Sequence, residues 1–145
     1  MKIYWKIAEK QPDGKIKTLF HGINGDRVIR WNKWLTAVEK MVNDGSGPMY
    51  LSGWHVLPSR AVAQSYLKRF KTRIDQLVIL PCHVKKLRRK EHADHEVFLA
   101  RHMKLLSEIK EPCGYCCGSG WKSDDSYSTF PCPWCEKGVV ITKYD

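Results

Sequence analysis

The chain has 145 residues, 43% of them hydrophobic, and a formal net charge of +10. That length suits one domain of ordinary size with a small appended module, and no apolar run approaches the roughly 18 residues of a membrane span. Residues 111–145 hold three lysines against five carboxylates and stand at −2, so residues 1–110 carry +12 and are attracted to polyanions: nucleic acid, a nucleoprotein or an acidic protein surface.

Lys2 to Glu9 alternates, with Ile3, Trp5 and Ile7 on one side, and predicts a half-buried strand. Its first six residues are too short and too polar for a signal peptide, so a cytoplasmic setting is expected. Pro12-Asp13-Gly14 marks a turn, and Lys15 to His21 completes a hairpin; Asn24-Gly25 is a further turn. From Trp31 the period changes. Trp31, Trp34, Leu35, Val38, Met41 and Val42 recur at helical spacing and predict an amphipathic helix with Asn32 as candidate cap, ended by Asn43 to Pro48. The two tryptophans are read as core.

Met49 to Leu57 reads as a strand. Ser59 is the candidate N-cap of a second helix, with Ala61, Ala63, Tyr66, Leu67 and Phe70 as its apolar side. Arg60, Lys68, Arg69, Lys71 and Arg73 form its basic side. Leu77 to Val84 is apolar enough for the centre of a sheet, although Pro81 argues for an edge or a bulge at its end. Cys82 within it reads as a small buried apolar residue. Lys85, Lys86, Arg88, Arg89 and Lys90 are five basic residues in six, open to two readings: a solvated loop or a polyanion contact. Val97 to Leu106 is taken as a strand. The expected body, residues 1–108, is α+β, a small mixed sheet with two helices.

Residues 109–145 read as a zinc ribbon. Cys113-Gly114-Tyr115-Cys116 is followed after fifteen residues by Cys132-Pro133-Trp134-Cys135. Two such knuckles supply four thiolates, enough to close a tetrahedron around Zn²⁺. In a reducing compartment this spacing favours metal over disulfides. Four thiolates leave no open position for water, which makes the zinc structural rather than catalytic. Pro112 and Pro131 stiffen the approach to each knuckle. Cys117 reads as a spare thiol. Trp121, Tyr127, Phe130 and Trp134 offer aromatic surface for protein contact or base stacking, or a miniature core. Cys113 to Gly120, Cys-x-x-Cys-x-Gly-x-Gly, resembles the repeat of DnaJ-type chaperone zinc modules. The second knuckle departs from it, keeping one glycine, Gly138, displaced by a residue.

The body, over about residues 15–106, resembles a group of small bacteriophage-encoded proteins. Leu19-Phe20-His21-Gly22, Trp34-Leu35-Thr36-Ala37, Asp44-Gly45-Ser46-Gly47 and Tyr50-Leu51-Ser52-Gly53-Trp54-His55-Val56 carry the resemblance, with Ala63, Tyr66-Leu67, Leu99-Ala100 and Met103. It implies a phage origin, and by analogy a role in engaging a machine of the infected bacterium. Phe20-His21-Gly22, Tyr50-Leu51-Ser52 and Ala61 to Tyr66 also resemble the motif order of ADP-ribosyltransferases. That resemblance implies NAD binding by His21 and Gly22, stacking by Tyr50, and Glu96 as the late acidic residue, although its context departs from the family's. His92 and His95 with Glu91 and Asp94 are read as surface groups rather than metal ligands. The leading expectation is a non-enzymatic zinc-binding protein that engages nucleic acid or a host nucleoprotein or protein complex. The alternative is an NAD-using transferase.

Overall fold

The computed structural model describes residues 1–19, 27–43, 48–70, 76–91, 93, 96–123 and 128–145. The chain divides into two compact units, Met1–Leu106 and Ser107–Asp145.

The expected α+β class is overturned. The structure is mostly β, with one helix among the described residues and a curled, antiparallel half-barrel sheet. In chain order the body runs β1 (Tyr4–Lys10), β2 (Ile16–Lys17), β3 (Val28–Ile29), β4 (Trp34–Thr36), β5 (Met41–Val42), β6 (Tyr50–Leu51), β7 (Trp54–Val56), α1 (Arg60–Leu67), β8 (Leu77–Arg89) and β9 (Phe98–Leu105). The main sheet has the order β3-β2-β1-β8-β9-β4, and β7 pairs with β9 beyond the end of β4.

The two long strands organise this unit. β8 pairs with β1 through Leu77–Cys82 and with β9 through Cys82–Arg89, so one strand serves two ladders in succession. Pro81 is tolerated because it sits where the β9 ladder ends. Its carbonyl accepts the last bond from the Leu106 N–H at 3.0 Å, and its missing N–H falls at the final rung. Farther along, Lys86 adopts φ 53° and its pairing with Arg101 is skipped in an otherwise unbroken register. The curl brings β7 back toward β1, where Trp5 and Leu57 exchange both backbone bonds, at 2.9 and 2.8 Å.

The helix expected over Trp31–Val42 is not formed. Trp34–Thr36 pairs with Lys104, Met103 and His102 of β9, and Met41–Val42 pairs with β6. Asn32, the candidate cap, instead has φ 57°. The helical spacing there is coincidental: Val38 and Met41 are exposed, so no continuous apolar stripe is buried. A lone helix of about twelve residues needs such a stripe to persist, whereas a strand beside β9 has its backbone paired.

The second expected helix forms. The Val62 N–H donates to Ser59 Oγ at 3.1 Å, the cap anticipated from the sequence. Ala63 is fully buried, and Val62, Tyr66, Leu67 and Phe70 pack with it on Ile7, Leu57, Leu77 and Val97. The first hairpin also forms, with Glu9 opposite Lys17 and Gly14 at φ 87° in the turn. Its alternation is incomplete, because Lys6, Ile7, Ala8 and Glu9 are all buried.

The second unit is held by β10 (Glu108–Pro112) paired with β13 (Val139–Lys143), and β11 (Trp121–Ser123) paired with β12 (Thr129–Pro131). Its core is Cys113, Cys116 and Cys132, with Cys135 and Val140 packed against them.

Candidate metal centre and basic face

Four ligand sulfurs, from Cys113, Cys116, Cys132 and Cys135, lie within 4.8 Å of one another. Cys113 Sγ is 3.9 Å from Cys132 Sγ, and Cys116 Sγ is 3.6 Å from Cys135 Sγ. These are not disulfide distances, which are about 2 Å. For a tetrahedron with such edges the centre lies about 2.3 Å from each sulfur, a metal–thiolate bond length. The cluster is therefore compatible with a metal site.

Backbone geometry aims the sulfurs. Each knuckle is followed by two residues in the left-handed region: Cys117 and Gly118 after the first, Lys137 and Gly138 after the second. The turns differ: Lys137 and Gly138 make a two-residue hairpin turn in which Glu136 and Val139 exchange both backbone bonds at 3.0 Å, whereas the Gly118 N–H donates back to the Cys113 carbonyl at 3.0 Å. The Cys113 N–H donates to the Gly138 carbonyl at 2.8 Å, and the Cys132 N–H to the Gly120 carbonyl at 2.8 Å, so each knuckle is tied to the other's flank.

The electrostatics of the thiols are those of a crowded acid. Burial alone would push the Cys116 thiol up. The Gly120 N–H, 3.3 Å from its sulfur, and the neighbouring thiols instead bring it down to about 6. Burial, reinforced by Cys116 and Cys132, raises Cys135 to about 12. A divalent cation at the centre would displace the remaining protons. Cys117 is exposed. Tyr115, Trp121, Phe130 and Trp134 are exposed and Tyr144 is half-buried, so the four aromatics around the knuckles are surface rather than core; Tyr127 lies outside the described residues.

The basic run over Lys85–Lys90 is strand up to Arg89, not a solvated loop, and strand pairing divides its roles. Arg88 is structural: it pairs with Glu39 at 3.1 Å and donates to the Leu51 and Ser52 carbonyls at 2.6 and 2.7 Å. Lys90 is buried over the Tyr50 ring, 4.4 Å from its centroid. Lys85, Lys86 and Arg89 are exposed, as are Lys68 and Arg69 just past α1; Lys71 and Arg73 lie outside the described residues.

The cross-strand register places Lys85 in a group that the sequence did not announce. Trp34, Lys104 and His83 form one row across β4, β9 and β8; Thr36, His102 and Lys85 form the next. The opposite face of the same strands holds Met103, Leu105 and Cys82, all fully buried. The row residues therefore face outward. The Trp34 ring carries Lys85 Nζ at 4.3 Å and Lys104 Nζ at 5.2 Å from its centroid. Thr36 Oγ1 lies 3.0 Å from His102 Nδ1. Partial burial, then the Lys104 charge, holds His83 below the usual histidine range. The available signal was the strand alternation of His102 with Lys104; reading Trp34 as helix hid their neighbour.

Of the residues implied by the transferase resemblance, Tyr50 is half-buried, its hydroxyl 3.3 Å from His55 Nε2 and Lys90 over one ring face. Glu96 is exposed, and His21 and Gly22 lie outside the described residues, as do His92, Asp94 and His95. The chain matches no family model, no curated protein and no solved structure. Nothing in these comparisons identifies the phage-encoded group or the transferases.

Proposed function

We propose that this is a non-enzymatic nucleic-acid-binding protein whose second unit is held together by a structural Zn²⁺. Zinc is the reading for the metal centre because four clustered thiolates, two of whose separations match the edges of a zinc–thiolate tetrahedron, suit its size and its lack of geometric preference. Cys113, Cys116, Cys132 and Cys135 would hold it, with no position left for water.

The observation that supports the nucleic-acid reading is the half-buried Trp34 ring with the Lys85 and Lys104 ammonium groups over it, on the outward side of the sheet. Such an aromatic platform with cations suits a single strand: a base would stack on the ring in place of a lysine, and the displaced ammonium groups would meet the adjacent phosphates. Arg101, Lys86 and Arg89 add exposed charge along β8 and β9. A setting in the cytoplasm of a phage-infected bacterium rests on the sequence resemblance of residues 15–106 alone.

The test is titration of the zinc-loaded protein with single-stranded oligonucleotides over a range of salt, reading tryptophan fluorescence. Quenching that disappears with Trp34→Ala, and affinity that falls as salt rises, would support the reading. Binding indifferent to both would overturn it. Capture of one bacterial protein that survives nuclease treatment, with no retained nucleic acid, would replace it with a protein partner.

A further inference from the structure

Near the Trp5–Leu57 backbone pair, residues of β1, β7 and α1 line a cavity of about 50 Å³. Its lining is mostly apolar, from Leu19, Leu57, Phe70 and Val97 among others, but it includes Lys6 and Thr18. Lys6 is 3% exposed and Thr18 6%. The Lys6 ammonium has one hydrogen-bond acceptor among the described residues, the His55 carbonyl at 3.3 Å. Its other neighbours are the Trp54 ring, 5.7 Å away, and the Cys82 thiol. No carboxylate among the described residues compensates its charge. The Thr18 backbone pairs with Arg27, while its hydroxyl has no partner among the described residues.

A buried ammonium with two idle N–H donors is costly, and so is a buried hydroxyl without a partner. Burial accordingly holds the Lys6 pKa down at about 8, against a small upward pull from Cys82. Leucine or methionine would fill the same position of β1 without that cost. An anion in the cavity would satisfy both groups, and the apolar lining would receive its hydrocarbon part. Size limits the choice: a water needs about 10–15 Å³ of such space, so the cavity takes about three to five non-hydrogen atoms.

We propose that this cavity binds a short-chain monocarboxylate, with the carboxylate on Lys6 and Thr18 and the alkyl end against Leu19, Leu57, Phe70 and Val97. This site is independent of the metal centre and of the Trp34 face.

Calorimetric titration of the zinc-loaded full chain with acetate, propionate, butyrate and decanoate, and with propionamide as the neutral isostere of propionate, tests it. The expected result is one acetate or propionate per chain, propionate at least tenfold tighter than propionamide, with decanoate excluded. Lys6→Met, which keeps the volume and removes the charge, loses the binding while retaining the near-ultraviolet dichroism of the wild type. Thr18→Val weakens it severalfold. Equal binding of acid and amide, no saturable carboxylate binding at millimolar concentrations, or undiminished binding by folded Lys6→Met would each overturn the proposal. Equal competition by chloride would reduce the site to one for any small anion and overturn the carboxylate assignment. Should Lys6→Met fail to fold, the acid–amide comparison on the wild-type protein decides.

Discussion

The backbone of Gly138 packs directly against the carbonyl of Gly118, so closely that no side chain fits between the two knuckles. Gly138 also has φ 87°, a conformation that side-chain-bearing residues rarely adopt. Gly138→Ala therefore meets both a backbone clash and a strained dihedral. It is expected to destabilise the second unit by about 3 kcal/mol or more. Gly14 has the same φ with open space around it, so Gly14→Ala carries the strain alone, about 1 kcal/mol. Competition against a coloured zinc chelator, read for the Gly138 variant, and thermal melts, read for both, check the contrast.

On the zinc reading proposed above, removal of the metal is expected to unfold the second unit and to leave the body folded, since each unit has its own core. Metal binding supplies on the order of 10 kcal/mol to such small modules. The measurement is an amide correlation spectrum before and after chelation, with one equivalent of zinc restoring the lost peaks. Cys116→Ser should abolish that recovery, and Cys117→Ser should not change it.

Trp34→Ala is expected to weaken single-strand binding by about 1–3 kcal/mol without changing the salt slope. Lys85→Ala and Lys104→Ala should each reduce that slope by about 0.7. Arg88→Ala should behave differently. It removes a Glu39 ion pair and the donor to two carbonyls, and is expected to cost about 2 kcal/mol of stability. Oligonucleotide titrations at several salt concentrations, paired with denaturant midpoints, separate the two classes of cation.

Lys6 makes the body's stability depend on pH in the alkaline range. Its folded value is about 8 against an ordinary 10.5, because burial disfavours the charged form. Between those values the unfolded chain holds a proton that the folded chain has released, so stability rises with pH, by at most about 1.4 kcal/mol per unit. Cys82 opposes it. Burial raises this thiol from 9.0 to about 12, and in that window the folded chain keeps a proton the unfolded chain has lost, so stability falls. The net gain is thus confined to about one unit above pH 8. Urea midpoints should show it in the wild type. Cys82→Ala should extend it toward pH 10.5, and Lys6→Met should remove it.

The local features were legible in the sequence. The knuckle spacing identified all four clustered cysteines, because a metal-ligand pattern is written in residue type and interval. The Ser59 cap and the Pro12-Asp13-Gly14 turn were likewise visible, being decided within a few residues. The apolar spacing from Trp31 misled, because helical and sheet periods overlap in a short run and the arbiter, pairing with β9, lies some seventy residues away.

By itself the sequence determined the cysteine cluster, the basic body and the capped helix, each a matter of local chemistry or composition. Only the tertiary structure decided which cations are free. Pairing of β8 with β9 puts Lys85 beside Trp34 and turns Arg88 onto the Leu51 and Ser52 carbonyls, though the two residues stand three apart in one basic run. It also decided that Lys6, in a run whose alternation assigns it to the polar side, is buried. Strand alternation tells which residues share a face; it cannot tell what covers that face, because the covering comes from distant segments brought together by the curl of the sheet.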